Sequence, residues 1–315
     1  MTAGLTGYAV YSRQQQVVGA IAARLRLEIA NRIEDQLAEQ TEHAKLINEL
    51  NANAVRQGQL RTQDSDSERY LWQQMQLLEP ATWLYVGAER NGAFLGVTRT
   101  AEDESLAVLN DPSTYFQGYY YRLDRQGERV ELVRVDEIDY DARSRPWYEA
   151  AVAARKGIWS NLYPVAGRSQ LVLSAVQPVY GDAGSLIGVT GVDLSLEPLG
   201  RFLQRLKLGE SGQAFVIDPA GLLVASSTGE KPFQPASEDR ALARIAATES
   251  EDALTQAAAA TLAEQIEIAD FKGRTQFNFE FEQRPYAMQV SSYEDSYGFR
   301  WLTMVVMPER VRFRQ

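Results

Sequence analysis

The residues best suited to chemistry lie in one short run, Tyr140-Asp141-Ala142-Arg143-Ser144-Arg145-Pro146-Trp147-Tyr148. An arginine guanidinium is a planar fork of donors that pairs bidentately with a carboxylate. Tyrosine and tryptophan add rigid walls, each carrying one polar group. Together these are the parts of a pocket for a small anionic or zwitterionic ligand. The same residues could also form a structural corner, with Trp147 in the core and Arg143 paired to a surface acid. Composition leaves both readings open. Pro146 suits the first turn of a helix, so the run reads as a passage from strand into helix.

Covalent and metal chemistry find little support. The chain has no cysteine and a single histidine, His43. That excludes disulfides, thiolate metal sites, a cysteine nucleophile and any cluster of histidine ligands. Phosphate-loop, GxSxG, HExxH and strand-borne GxGxxG patterns are all absent from the sequence. His43 lies beside a helical stripe and reads as a surface or seam residue. Acidic pairs such as Asp103-Glu104, or Glu249 with Glu251, fall in polar stretches and read as solvated faces. No cofactor, metal or catalytic residue is expected.

The chain has 315 residues, 45% hydrophobic and 23% charged, a composition that suits two folded domains. Its 32 basic and 42 acidic residues leave a formal charge of −10. Nucleic-acid binding needs clustered basic excess, so that class is disfavoured, as is a polybasic lipid anchor. The start lacks the basic and apolar regions of a signal peptide. The apolar run at 302–307 is far short of the roughly 18–20 residues that span a bilayer. The chain as read is expected to be soluble.

The elements that must position the arginine–aromatic run follow from periodicity. Val18, Ile21, Leu25, Ile29, Ile33, Leu37, Ala44, Ile47 and Ala54 form one stripe, and residues 20–57 are free of Gly and Pro. A helix over 20–57 would reach about 57 Å, the length of a strut or a dimer seam. A shorter helix is expected over 67–78. Three hairpins follow: 82–86 with 93–98 around Asn91-Gly92, 119–123 with 129–135, and 171–179 with 186–192. A compact helix is expected near 147–154. Another is expected over 196–208, with Ser195 placed to cap it. Strands are then expected at 214–217, 222–225, 275–282, 286–293 and 301–306, with alanine-rich helix over 238–268. Hairpins with segregated helices make an α+β fold, without the alternation of a parallel Rossmann sheet.

Four segments resemble one family. The 140–148 run is similar to the YDxRxRPWY signature of double Cache (dCache) sensor domains. Residues 159–164 resemble that family's tryptophan and tyrosine-proline segment. Residues 188–195, Gly-Val-Thr-Gly-Val-Asp-Leu-Ser, resemble its GVxGxDxS strand, and 209–218 resemble the segment that opens its second module. These motifs lie in family order across roughly 68–230.

The resemblance implies the ligand-sensing, extracytoplasmic part of a bacterial membrane receptor. Its α+β fold would be a long N-terminal helix followed by two PAS-like modules, each an antiparallel sheet with flanking helices. The implied division is a helix over 1–66, a membrane-distal ligand-binding module over 67–208, a membrane-proximal module over 209–308, and a tail over 309–315. Transmembrane helices would flank this region in a longer chain. By resemblance, Tyr140, Arg145 and Trp147 would hold a ligand carboxylate. Tyr148 and Asp193 would hold an amine, helped by Tyr163. Amino-acid sensors of the family carry a second acid two residues after that tyrosine, where this chain has Val165. Asp193 would then be the single formal counter-charge for an ammonium.

The expected function is binding of a small polar metabolite, an amino acid or a related carboxylate or amine, and transmission of that binding across the membrane. The expected partners are that ligand and a second copy, as a parallel homodimer along the helix stripe. Rival readings are a soluble binding protein without signalling, a hydrolase using paired carboxylates, and an ectodomain with a vestigial pocket and a protein partner.

Overall fold

A computed structural model describes residues 2–100, 104–137, 139–160, 162–164, 171–209, 211–234 and 243–309, with side chains from residue 19 onward except at 163 and 164. The chain forms two compact units. One comprises Glu39–Leu196 with Ser296–Gly298; the other comprises Met1–Ala38, Glu197–Asp295 and Phe299–Gln315. The expected boundaries at 66/67 and 208/209 differ from this division, which runs through the first helix and places residue 197 onward in the second unit.

Helix α1 spans Thr2–Arg56. Ile29, Ile33, Leu37, Ala44, Ile47 and Ala54 of the expected stripe are buried. Ile21 departs from it and is 51% exposed, while Ala22 and Arg26 take the buried positions. Successive four-residue steps drift around a helix of 3.6 residues per turn, so this early stripe position rotates outward. Helix α2 follows at Ser65–Leu77, with the Asp64 carboxylate accepting from the Asp66 N–H at its start.

In the first unit β1 (Ala81–Ala88), β2 (Phe94–Arg99), β3 (Ser105–Asn110), β4 (Gly118–Leu123) and β5 (Arg129–Asp136) form an antiparallel meander. Helix α3 (Pro146–Ala154), short strands β6 (Ile158–Trp159) and β7 (Tyr163–Pro164), and the hairpin β8 (Leu171–Tyr180) and β9 (Leu186–Ser195) complete the unit. The strand order is β5-β4-β3-β2-β1-β9-β8-β6, with β7 also on β8. The three expected hairpins are present. Strand β3 was not legible in the sequence because its side chains are buried on both faces and show no alternation. Ser195, expected to cap the next helix, is the last residue of β9 and pairs with Val172.

Because neighbours along a strand face opposite sides, β9 serves two cores at once. Val192 and Leu194 join Ala44, Ile47 and Val55 of α1, whereas Val189 joins Tyr85, Trp147 and Tyr148. Asn48 of α1 donates from Nδ2 to the Ala175 carbonyl of β8 at 3.1 Å, tying the helix to one side of the hairpin.

In the second unit α4 (Glu197–Gln204) precedes β10 (Gln213–Ile217), β11 (Leu223–Ser226), β12 (Phe233–Gln234) and β13 (Ala243–Arg244). Helix α5 (Ala253–Gln265) and strands β14 (Arg274–Phe281), β15 (Arg284–Glu294) and β16 (Arg300–Pro308) follow. The five-stranded sheet has the order β11-β10-β16-β15-β14, and α5 buries Leu254, Ala258 and Leu262 against Phe215, Met288 and Met304. The helix expected over 238–268 is thus shorter: 243–244 is strand, and α5 begins only where Asp252 accepts from the Thr255 N–H at 2.7 Å. A side-chain cap fixes a start that alanine content alone does not. The expected 196–208 helix likewise ends early, at Gln204.

Asp218 holds the β10–β11 turn by accepting from the Ala220 and Leu222 N–H groups, and it pairs with Arg244, which also donates to the Leu223 carbonyl at 2.9 Å. Both side chains are largely buried. Removing one partner of such a pair leaves a poorly solvated charge. Arg244→Ala is expected to cost about 2–3 kcal/mol in urea unfolding, whereas Arg201→Ala, at an exposed helical pair, should change stability by less than about 0.5 kcal/mol.

Candidate functional site

The site is built on one face of β1, β2, β8 and β9. Register places Trp83 and Ser174 on either side of Asp193, and Tyr85 directly beside Gly191. Asp193 is 6% exposed. Its Oδ1 accepts from the Tyr85 hydroxyl at 2.8 Å and from the Ser174 hydroxyl at 2.5 Å. Both donors come from strands flanking β9, so assembly of the sheet is what satisfies this carboxylate.

The 140–148 run crosses above these strands. The Tyr140 N–H donates to the Phe116 carbonyl and the Ala142 N–H to the Gly92 carbonyl. Gly92 has φ +72°, and an added Cβ there would lie 2.3 Å from the Asp141 carboxylate, so the turn needs glycine. Asp141 starts a 3-10 turn at Ala142–Ser144 by accepting from the Arg143 N–H at 2.9 Å. Arg145 then holds extended backbone, with φ −89° and ψ 141°, and Pro146 opens α3.

The two arginines have different fates. Arg143 is exposed and bound to Asp141, with Nη2 2.6 Å from Oδ2. That contact holds the Asp141 carboxyl below its ordinary range. Both parts of the corner reading therefore hold: Arg143 is paired to a surface acid, and Trp147 is 6% exposed within a buried cluster. Arg145 forms no ion pair among the described residues, and its guanidinium carbon lies 5.1 Å from the centre of the Tyr140 ring. Burial pushes the Tyr140 hydroxyl up to about 12, against a hydrogen bond from Trp147 and the charge of Arg145, with Asp193 acting in the same sense as burial. Tyr140 thus lies close to both the Arg145 guanidinium and the buried Asp193 carboxylate.

Aromatic rings pack together beside these groups. Trp147 meets Tyr85 edge-on at 4.8 Å and Tyr148 at 5.4 Å, and Phe94 meets Tyr140 edge-on at 5.2 Å. Glycines in the strands make room for them. An added Cβ would lie 2.9 Å from the Trp147 ring at Gly87, 2.9 Å from Phe94 at Gly96, and 2.3 Å from Tyr85 at Gly191.

Of the residues singled out by sequence, Tyr140, Arg145, Trp147 and Asp193 converge here. Tyr148 packs on Trp147, but its hydroxyl donates to Glu89 at 2.8 Å. Burial first, and then the adjacent Glu89 carboxylate, push that hydroxyl well above the usual phenol range. The backbone of Tyr163 pairs with Val172 on β8; its side chain and Val165 lie outside the described residues. Tyr85, Phe94, Ser174 and Glu89 were missed. The available signal was the set of strand glycines at 87, 96 and 191, since glycine inside a strand marks close approach of another group. His43 is exposed on α1. No cluster of His, Asp or Glu among the described residues could hold a metal.

Two expectations follow from this geometry. Gly191→Ala should displace the Tyr85 ring, cost about 1–3 kcal/mol, and alter the near-ultraviolet circular dichroism; Gly200→Ala, with open space around it, should do neither. The raised Tyr140 pKa means that the unfolded chain loses this proton near pH 10 while the folded one keeps it to about 12. Its contribution is fully present below pH 10 and is lost as pH rises from 10 to 12, by up to about 2–3 kcal/mol. Tyr140→Phe should flatten that part of the stability profile; an unchanged slope would contradict it.

Comparison with known proteins agrees with this architecture. The methyl-accepting chemotaxis protein PctB of Pseudomonas aeruginosa is 35% identical over 86 residues, which is 27% of this chain and 14% of that receptor. The chain therefore matches only a small part of that relative's length. The ligand-binding domain of the P. aeruginosa amino-acid chemoreceptor PctC, solved with GABA, superposes with a TM-score of 0.55 at 19% identity, covering 89% of this chain and 96% of that one. The ligand-binding domain of Pseudomonas fluorescens CtaA, solved with L-serine, gives 0.55 at 16% identity, covering 92% and 98%. These likenesses show a shared fold. The dCache_1 family model, described as a Cache domain, matches residues 28–313, and the chain accordingly belongs to the double Cache family.

Proposed function

We propose that this chain is the ligand-sensing, extracytoplasmic region of a bacterial membrane receptor, and that its first unit binds a small zwitterion of the amino-acid type. The observation that carries this reading is the pairing of opposites around one aromatic compartment. Arg145, a cation with no carboxylate partner among the described residues, supports recognition of a ligand carboxylate. Asp193, buried and held by Tyr85 and Ser174, supports recognition of an ammonium. Tyr140 and Trp147 wall the space between them, with the Tyr140 hydroxyl neutral and able to donate. Binding, not bond breaking, is the chemistry these groups suit.

The relatives named above, one of them solved with GABA and another with L-serine, support the same ligand class. Tyr148 acts in this proposal as packing for Trp147, because its hydroxyl is committed to Glu89. No helix among the described residues is long and apolar enough to cross a membrane, so the proposed anchoring rests on the family alone.

Signalling would start where β8 and β9 contact ligand on one face and α1 on the other. Converting a receptor from mostly off to mostly on takes about 5.5 kcal/mol of differential affinity. Charge-assisted hydrogen bonds contribute roughly 1.5–3 kcal/mol each, so two or three formed only in the active state suffice.

A thermal-shift screen of L-amino acids, GABA, simple amines and organic acids, followed by calorimetry, tests the reading. Arg145→Ala and Asp193→Asn are each expected to weaken the best compound at least about tenfold, the lower end of that per-contact energy. Arg143→Ala, whose guanidinium is occupied by Asp141, should leave affinity nearly unchanged. A screen with no shift, or a hit indifferent to Arg145→Ala, would end the proposal.

A further inference from the structure

The free edge of the nine-stranded sheet carries a surface that the ligand site does not use. β5 is the terminal strand, and its residues from 129 to 135 are all exposed. Val130 is 65% exposed, and Leu132, Val133 and Val135 also face solvent. An edge strand is an open row of N–H and C=O groups, which proteins ordinarily blunt with lysine, proline or brevity. β5, Arg-Val-Glu-Leu-Val-Arg-Val-Asp, has neither residue and is not short; β6 at the opposite edge is two residues long.

Its charges have a particular arrangement. Pairing with β4 passes from Tyr120↔Arg134 to Tyr121↔Leu132 and from Arg122↔Glu131 to Leu123↔Arg129, so Val133 and Val130 are extra, bulged residues, Val133 lying between the two charges at 131 and 134. Residues three apart on a regular strand face opposite sides. Here the extra residue at 133 brings Glu131 and Arg134 onto one face, opposite Arg122 and Tyr120 respectively. The two opposite charges flank the midpoint between Leu132 and Val133, and a two-fold rotation about that midpoint exchanges them.

We propose that β5 pairs edge to edge, antiparallel, with β5 of a second copy of this chain, its two-fold axis passing between Leu132 and Val133. Glu131 of each copy then meets Arg134 of the other, and the exposed apolar residues at the centre are covered. Such a self-complementary patch is what an isologous contact requires. Arg122, 3.1 Å from Glu131, and Asp136, 3.0 Å from Arg134, hold the two charges in place within each copy. Bulges and charges on edges often serve to prevent pairing; here their sign pattern fits one specific partner. Pairing along a single strand covers less than the roughly 1,200 Å² of a standard interface, so the association is weak and concentration-dependent. The inference does not depend on the identity of the ligand.

Charge exchange between two variants tests it. Glu131→Arg places arginine against arginine across the axis, and Arg134→Glu places glutamate against glutamate. Each purified variant, checked for an unchanged melting temperature, is expected to lose self-association at least tenfold in sedimentation velocity with fluorescent label. An equimolar mixture of the two restores attraction at both contacts and should associate as wild type does. A mixture no tighter than either variant alone overturns the proposal, and so does a wild-type chain that stays monomeric. Equal association in all samples also overturns it, placing the contact elsewhere on the surface. An extended segment of another protein as the occupant of β5 would leave the mixture without any advantage.

Discussion

A carboxylate buried in the middle of a sheet is the constraint around which the first unit is arranged. Removing a charge from water costs several kcal/mol unless hydrogen bonds replace the lost hydration. Asp193 obtains donors from Tyr85 on β1 and Ser174 on β8, the two neighbours of its own strand. A one-residue slip in either pairing would carry the donor to the opposite face. The charge therefore makes the register of three central strands matter, beyond what their apolar side chains alone require.

The rest of the site follows from that choice. Tyr85 can lie across its neighbouring strands only because Gly96 and Gly191 flank it. Its ring then supports Trp147, which fixes the start of α3 and hence the place of Arg145 just before Pro146. Arg143 and Asp141 neutralise each other at the surface, leaving Arg145 as the cation over Tyr140. On the proposed reading, a cation and a buried carboxylate held by separate elements would select a ligand by its length and by the presence of both of its charges.

Much of this was legible in the sequence, and the remainder was hidden for physical reasons. The arginine–aromatic run and the aspartate of the β9 motif were visible because each is local. Hairpins with turn residues between apolar runs were visible for the same reason. The partners of Asp193 were not, because Tyr85 lies 108 positions away and meets it only through strand pairing. Nor could spacing decide between Arg143 and Arg145; the decision lies in the 3-10 turn that returns Arg143 to Asp141. The commitment of the Tyr148 hydroxyl to Glu89 depends on the β1–β2 turn reaching back to α3, another long-range contact. Ile21 shows the opposite failure, where a local pattern was followed one turn too far along a drifting helix face.

The central claim is that one ligand engages both charges at once. It is tested most directly by titrating the wild-type chain with the tightest-binding amino acid and with its two halves, the acid lacking the amine and the amine lacking the carboxylate. The account predicts that each half binds at least about tenfold more weakly, the loss of one charge-assisted contact. Equal affinity of either half with the intact amino acid would contradict it, because one of the two charged groups would then take no part in recognition.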